Sequence, residues 1–213
     1  MAGTARELAF VTLLTIARFP LILLFFVGAL INASAPSPAL FLASCAALAA
    51  SAITDMFDGA LARRYHVETH FGAHADPLMD KFFYLATLPL LVYVTLHKGH
   101  TVHAIALLIM TLMFLTRDQW VTFLRSIGSI YQVSGKAHWA GKLRTAINFP
   151  LIGLIYVFEA SPWPLNRNWF FLLHAAEVVA VLINFISLYT YTRSYWPYLR
   201  KAASLHSQKD KLA

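Results

Sequence analysis

Four aspartates crowd the window 55–80: Asp55, Asp58, Asp76 and Asp80, in a chain with ten acidic residues in all. They lie between two apolar stretches, each long enough to cross a bilayer. A carboxylate at membrane depth is costly, and the expected reason for keeping one is function. On a helix Asp55 and Asp58 (i, i+3) share a face, as do Asp76 and Asp80 (i, i+4). If the two helices pack antiparallel across the short segment between them, all four carboxylates converge and repel one another. A hard divalent cation relieves that repulsion, because Mg²⁺, Mn²⁺ and Ca²⁺ prefer oxygen ligands. Two other uses stay open on these residues alone: solvated caps or salt-bridge partners at helix ends, and a cation path of the kind a transporter needs.

The elements that must position this window read as membrane spans. The chain has 213 residues, 59% of them hydrophobic and 13% charged, which suits an all-α, polytopic membrane protein of one domain, 1–213. Hydropathy places six transmembrane helices, at about 8–30, 39–61, 77–96, 102–124, 143–159 and 169–191, with a basic tail at 193–213. Phe10 to Leu30 is too long for the apolar part of a cleavable signal and reads as the first span. The single cysteine, Cys45, excludes an internal disulfide. The net charge is +7. Among so many apolar runs, that charge points to anionic membrane lipids and anionic substrates rather than to nucleic acid.

Lys and Arg set the expected orientation. Arg6, Arg63, Arg64, Arg125, Lys136, Lys142 and the basic tail fall on one side, and only Lys98 and Arg167 on the other. The positive-inside rule puts both termini and the aspartate segment at the cytoplasmic face of an inner membrane. Trp120, Trp139, Trp163, Trp169, Trp196, Tyr191, Tyr195 and Tyr198 sit near span ends, where an aromatic belt explains them.

The window reads Asp-x2-Asp-Gly-x2-Ala-Arg-x8-Gly-x3-Asp-x3-Asp, with Gly59, Ala62, Arg63 and Gly72 at the non-acidic fixed places. In this it resembles the CDP-alcohol phosphatidyltransferase family at every fixed position. The resemblance implies an integral membrane enzyme that joins CDP-diacylglycerol to an alcohol and releases CMP. It implies Mg²⁺ or Mn²⁺ held by Asp55, Asp58 and Asp76. Asp80 is then the general base that takes the acceptor's hydroxyl proton, and also a ligand to a second ion. Gly59 and Ala62 make room for the cytidine or ribose, Arg63 pairs with phosphate oxygens, and Gly72 lets the chain turn before the third span. Gly59 and Ala62 also fit a small-residue helix contact. Family members are commonly homodimers.

A second cluster lies at 116–148 and holds Arg117, Arg125, Lys142 and Arg144. Arg117 falls inside the fourth span and needs a partner or an anionic ligand; Asp118, next in sequence, points elsewhere on a helix. A basic pocket suits an acceptor that itself carries a phosphate. Anchoring of a positive-inside loop is the plainer alternative for Lys136, Lys142 and Arg144.

Arg117-Asp118, Leu124-Arg125 and Gly141-Lys142-Leu143-Arg144-Thr145 resemble the phosphatidylglycerophosphate synthase branch of the family. Its acceptor is sn-glycerol 3-phosphate, so the resemblance makes Arg117, Arg125, Lys142 and Arg144 the acceptor-phosphate ligands. Asp118 stands where that branch usually has Glu, and Arg144 where it has Lys. In the first span, where the branch often shows Asn-x2-Thr-x2-Arg, this chain has Thr12, Thr15 and Arg18. Inositol phosphate, or phosphatidylglycerol as in cardiolipin synthase, are the alternative acceptors.

His66, His70 and His74 could ligate zinc only on one continuous helix. The segment that carries them is expected to be a loop. His97, His100 and His103 fall at the opposite face, where a polar interfacial loop explains them, with an outward zinc site as the alternative.

Overall fold

The computed structural model describes residues 4–67, 70–133 and 139–204, apart from the side chains of Arg63, residues 70–74 and Asp76. The described residues form six helices: α1 (Ala5–Ser34), α2 (Pro38–Tyr65), α3 (His70–His97), α4 (Thr101–Ile130), α5 (Trp139–Ala160) and α6 (Arg167–Ala203). All six contain a stretch long and apolar enough to cross a membrane. The six expected spans are therefore present, and together they give an integral, multi-pass membrane protein. Most helices run beyond their apolar windows. In particular α3 starts at His70 rather than at the third span's first apolar residue, so Gly72 lies in its opening turn and not in a loop before it.

Local sequence sets the ends. Thr4 caps α1: its hydroxyl accepts from the Glu7 amide at 3.3 Å, and the Glu7 carboxylate accepts from the Thr4 amide at 2.6 Å. Pro38 opens α2, where a missing N–H is harmless. Asn166 caps α6 by accepting from the amides of Asn168 and Trp169. Three helices close with the same reversed hydrogen-bond pattern around one left-handed residue: His66 after α2, Gly99 after α3 and Gln132 after α4. At α2 the Val67 amide donates to the Ala62 carbonyl at 3.1 Å. This turn breaks the continuous helix that a zinc site through His66, His70 and His74 requires; the side chains of His70 and His74 lie outside the described residues.

The chain divides into two compact units. One comprises Met1–Thr111 with Ile152–Leu173, the other Leu112–Leu151 with His174–Ala213. In the first, α1 packs against α2 and α3. The buried residues of α1 include Val11, Thr15, Arg18, Ile22, Phe25, Ala29 and Asn32, spaced alternately by four and three, which is one stripe of a helix. Phe10, Leu13, Ile16 and Leu24 on its other faces stay exposed, as lipid-facing side chains do. Phe25 meets Tyr156 edge-on at 5.0 Å, Tyr156 stacks on Phe41 at 5.7 Å, and Phe19 stacks on Phe82 at 4.6 Å.

At the far end of this unit from the aspartates, roughly 30 Å along α3, a buried Glu159 closes a polar node. Its two oxygens bond separately to His100 Nδ1 at 2.7 Å and His103 Nδ1 at 2.6 Å. These histidines thus satisfy a buried carboxylate, while His97 stacks on Tyr93.

The second unit is built on Val121, Leu124, Tyr191 and Tyr195, with Trp120 and Val133 against them. Tyr191 and Tyr195 are 1% and 2% exposed, so they belong to a core and not to the aromatic belt expected of them. Trp139, Trp163, Trp169 and Trp196 are exposed, as belt residues should be.

Close approach of α1 and α2 depends on Gly28. A β-carbon there would lie 2.6 Å from Ser44 Oγ, whereas at Gly153 the nearest neighbour would be 3.8 Å away. Gly28→Val is therefore expected to destabilise the protein by about 1–3 kcal/mol, and Gly153→Ala, inside α5 with no clash, to leave stability unchanged or raise it by up to about 1 kcal/mol. Unfolding of the detergent-solubilised variants compares them directly.

Candidate active site

The site is assembled from three helices of the first unit. Arg18 lies in the buried stripe of α1, with only 1% of its side chain exposed. One guanidinium nitrogen, Nη1, is 2.5 Å from Asp55 Oδ1, and the other, Nη2, is 2.5 Å from Asp58 Oδ2. Nη1 is also 3.7 Å from Asp80 Oδ1, which comes from α3. The expected convergence of carboxylates from neighbouring helices thus holds for Asp55, Asp58 and Asp80. Asp76 lies on α3 one turn before Asp80, and its side chain is outside the described residues, as is that of Arg63.

The three carboxylates differ in depth. Asp58 is deepest, with 4% of its side chain exposed; Asp55 has 29% and Asp80 46%. Both oxygens of Asp58 are engaged. Oδ2 accepts from Arg18 and from the Thr15 hydroxyl at 3.1 Å, and Oδ1 accepts from the Gly59 amide at 2.5 Å. Gly59 therefore presents its own N–H to the neighbouring aspartate. Gly59 and Ala62 are half-buried on α2, and Gly72 opens α3.

Among the described residues one guanidinium, that of Arg18, faces these three carboxylates, and their exposure grows from Asp58 to Asp80. The donors here are carboxylate oxygens held at one point by two helices. That donor set fits a hard divalent cation, for which Asp55 and Asp80 offer the more accessible oxygens. Arg18 had no stated role in the motif; its only signal was its place in a first-span pattern with Thr15.

The second unit orders the other candidate residues. Asp118 sits between two arginines: Oδ1 accepts from Arg117 Nη1 at 2.9 Å and Oδ2 from Arg144 Nη2 at 2.7 Å. Although adjacent on α4, Arg117 and Asp118 do meet, because the long arginine reaches back. Arg117 also donates to Ser187, and Arg144 Nε donates to Asn184 Oδ1 at 2.8 Å. Arg125 donates to the Tyr191 hydroxyl at 2.9 Å. Arg117 and Arg125 each lie over the Tyr191 ring, at 5.2 and 5.3 Å from its centre.

Gly141 of the basic motif makes room for this arrangement, since a β-carbon would stand 2.8 Å from the Tyr191 hydroxyl. Lys142 is exposed on α5. A cavity of about 400 Å³ borders Arg117, Asn184, Thr116 and Thr192 between mainly apolar walls. Asp118, Tyr191, Ser187 and Asn184 are thus partners that the basic motif alone did not reveal.

Comparison with known proteins agrees with the geometry. The family model for CDP-alcohol phosphatidyltransferase matches residues 9–191. A probable phosphatidylglycerophosphate synthase of Mycobacterium tuberculosis (strain CDC 1551 / Oshkosh) is 32% identical over 181 residues, 85% of this chain and 77% of that protein. A CDP-diacylglycerol–glycerol-3-phosphate 3-phosphatidyltransferase of Pseudomonas fluorescens is 28% identical over 160 residues, 75% of this chain and 78% of the relative. One of the same name from Yersinia pestis (strain Pestoides F) is 27% identical over 147 residues, covering 68% and 74%. No solved structure matches the chain. With the family match running through nearly all six helices and across the aspartate window, the chain belongs to the CDP-alcohol phosphatidyltransferase family.

Proposed function

We propose that this protein transfers the phosphatidyl group of CDP-diacylglycerol to sn-glycerol 3-phosphate, forming phosphatidylglycerol phosphate and CMP. The observation that carries the reading is the meeting of Asp55, Asp58 and Asp80, from two helices, at one point. In this reading Asp55, Asp58, Asp76 and Asp80 form the set that holds Mg²⁺ or Mn²⁺. Held there, such an ion would supply positive charge to offset that of the diphosphate and of departing CMP.

The chain's own residues supply the rest. Asp80, the most exposed of the three placed carboxylates, takes the proton from the acceptor's hydroxyl. The hydroxyl oxygen forms a bond to the β-phosphorus of CDP-diacylglycerol. The bond from that phosphorus to the CMP oxygen breaks, and CMP leaves with the electron pair. Gly59 and Ala62 leave space beside α2 for the nucleoside, and Arg63 pairs with its phosphates.

The acceptor's phosphate goes to Arg117, Arg125, Lys142 and Arg144. Arg117 and Arg144 are supported in this role by their fixed orientation on Asp118, since planar guanidiniums held in place bind phosphate bidentately. The names of the relatives support the same acceptor. The distribution of Lys and Arg supports an active site on the cytoplasmic face of the inner membrane.

A panel of acceptors tests the reading. Purified protein with CDP-diacylglycerol and Mg²⁺ is expected to release CMP only when glycerol 3-phosphate is added, with phosphatidylglycerol phosphate identified by mass. Product from inositol phosphate or phosphatidylglycerol instead would reassign the acceptor, and chelation with EDTA should stop the reaction. Asp80→Asn is expected to lower turnover by about 10²–10⁴ while changing CDP-diacylglycerol binding much less. Near-normal turnover would remove Asp80 as the base. Arg117→Ala should raise KM for glycerol 3-phosphate far more than KM for the lipid; equal effects on the two would argue against a phosphate site there.

A further inference from the structure

A buried arginine among carboxylates that are to hold a metal ion is a rival for their oxygens as well as a partner. Arg18 has one fixed end and one that can be shared. Its Nη2 is on Asp58 Oδ2, and Asp58 is itself held by the Thr15 hydroxyl and the Gly59 amide. Its Nη1 lies between α2 and α3, 2.5 Å from Asp55 Oδ1 and 3.7 Å from Asp80 Oδ1. A cation held by Asp55 and Asp80 would draw on the same two carboxylates. Asp55 and Asp80 are also the more exposed carboxylates of the three, whereas Nη1 itself is buried.

We propose that Arg18 is a resident counter-cation: it shares the carboxylates of Asp55 and Asp80 with the divalent ion, and its charge and two-pronged reach set how tightly that ion is held. This rests on the metal-binding reading of the aspartates given above. Arg18 is 1% exposed and sits in a stripe flanked by Ile22 and Phe25, so its charge has no route to water when the ion arrives. It stays anchored on Asp58 and repels the ion from close range. The node is thereby kept assembled without a divalent ion, and the ion is held loosely enough to exchange. Arg18 is a positioning residue in this role; it acts through the aspartates.

The test is a Mn²⁺ titration of the full chain in detergent micelles, with unbound Mn²⁺ read by electron paramagnetic resonance. Wild type, Arg18→Met and Arg18→Lys are compared. Arg18→Met is expected to bind Mn²⁺ about tenfold more tightly, because a like charge within a few ångströms of the ion is gone. Without divalent ions it should melt at a lower temperature than wild type, and Mn²⁺ should restore more stability to it than to wild type.

Should Arg18→Met not fold, Arg18→Lys carries the test. It keeps the charge but gathers it on one nitrogen of a shorter side chain in place of the two-pronged fork, leaving more of Asp55 and Asp80 to the ion, and it is expected to tighten Mn²⁺ binding by about threefold. A purely structural arginine would lower the melting temperature without tightening Mn²⁺. Mn²⁺ binding that is unchanged or weaker in the folded variants overturns the role of Arg18 alone. Wild type that binds no Mn²⁺ overturns the metal reading, and this proposal with it.

Discussion

The first unit depends on the burial of one guanidinium. Taking an arginine out of water is costly unless its charge is met at close range, and Arg18 is met by Asp55 and Asp58 at 2.5 Å each. The stripe of α1 that carries it is otherwise largely apolar, and Thr15, one turn earlier, bonds the same Asp58. A slide of α1 along α2 by one turn would set the guanidinium opposite apolar side chains and leave the carboxylates unmatched. The pairing therefore fixes the register of α1 on α2. The close approach at Gly28 and Ser44 then lets the two helices meet at the other end. Asp80 joins the node from α3 at longer range, where exposure to water lowers what the pairing demands.

Buried charge is handled similarly elsewhere, but with a different balance. Glu159 is closed off by two histidines, one on each oxygen. In the second unit Asp118 is closed off by Arg117 and Arg144. In each of these nodes a single carboxylate is matched on both oxygens. The aspartate node differs: among the described residues three carboxylates face Arg18, and two of them are partly exposed. An accessible cluster of hard oxygens suits a divalent ion, and carboxylates are costly to keep at membrane depth without a use.

Much of this was legible in the residues. Six apolar runs give six helices because the bilayer sets a minimum length, and the spacing 55–58 puts two carboxylates of α2 on one face. What hydropathy did not show is where helices end. It senses the apolar core, so the polar turns of α3 before Pro77 read as a loop, although backbone hydrogen bonds continue through them. The role of Arg18 was hidden because its partners lie about forty positions away, and periodicity reveals a face without naming what it meets. Asp118 was expected to point away from Arg117 by helical geometry; the reach of the arginine side chain overrode the angle between adjacent residues. Tyr191 and Tyr195 read as interfacial by position, yet they fill a core beside the glycines of α4 and α5.

An anomalous-diffraction map of the protein crystallised with Mn²⁺ and a CDP-lipid addresses the metal site most directly. It is expected to show a manganese peak about 2.0–2.5 Å from carboxylate oxygens of both α2 and α3, Asp55 and Asp80 among them, and against the diphosphate. A map with the lipid bound but no peak there, and with those oxygens bonded only to Arg18, would contradict it.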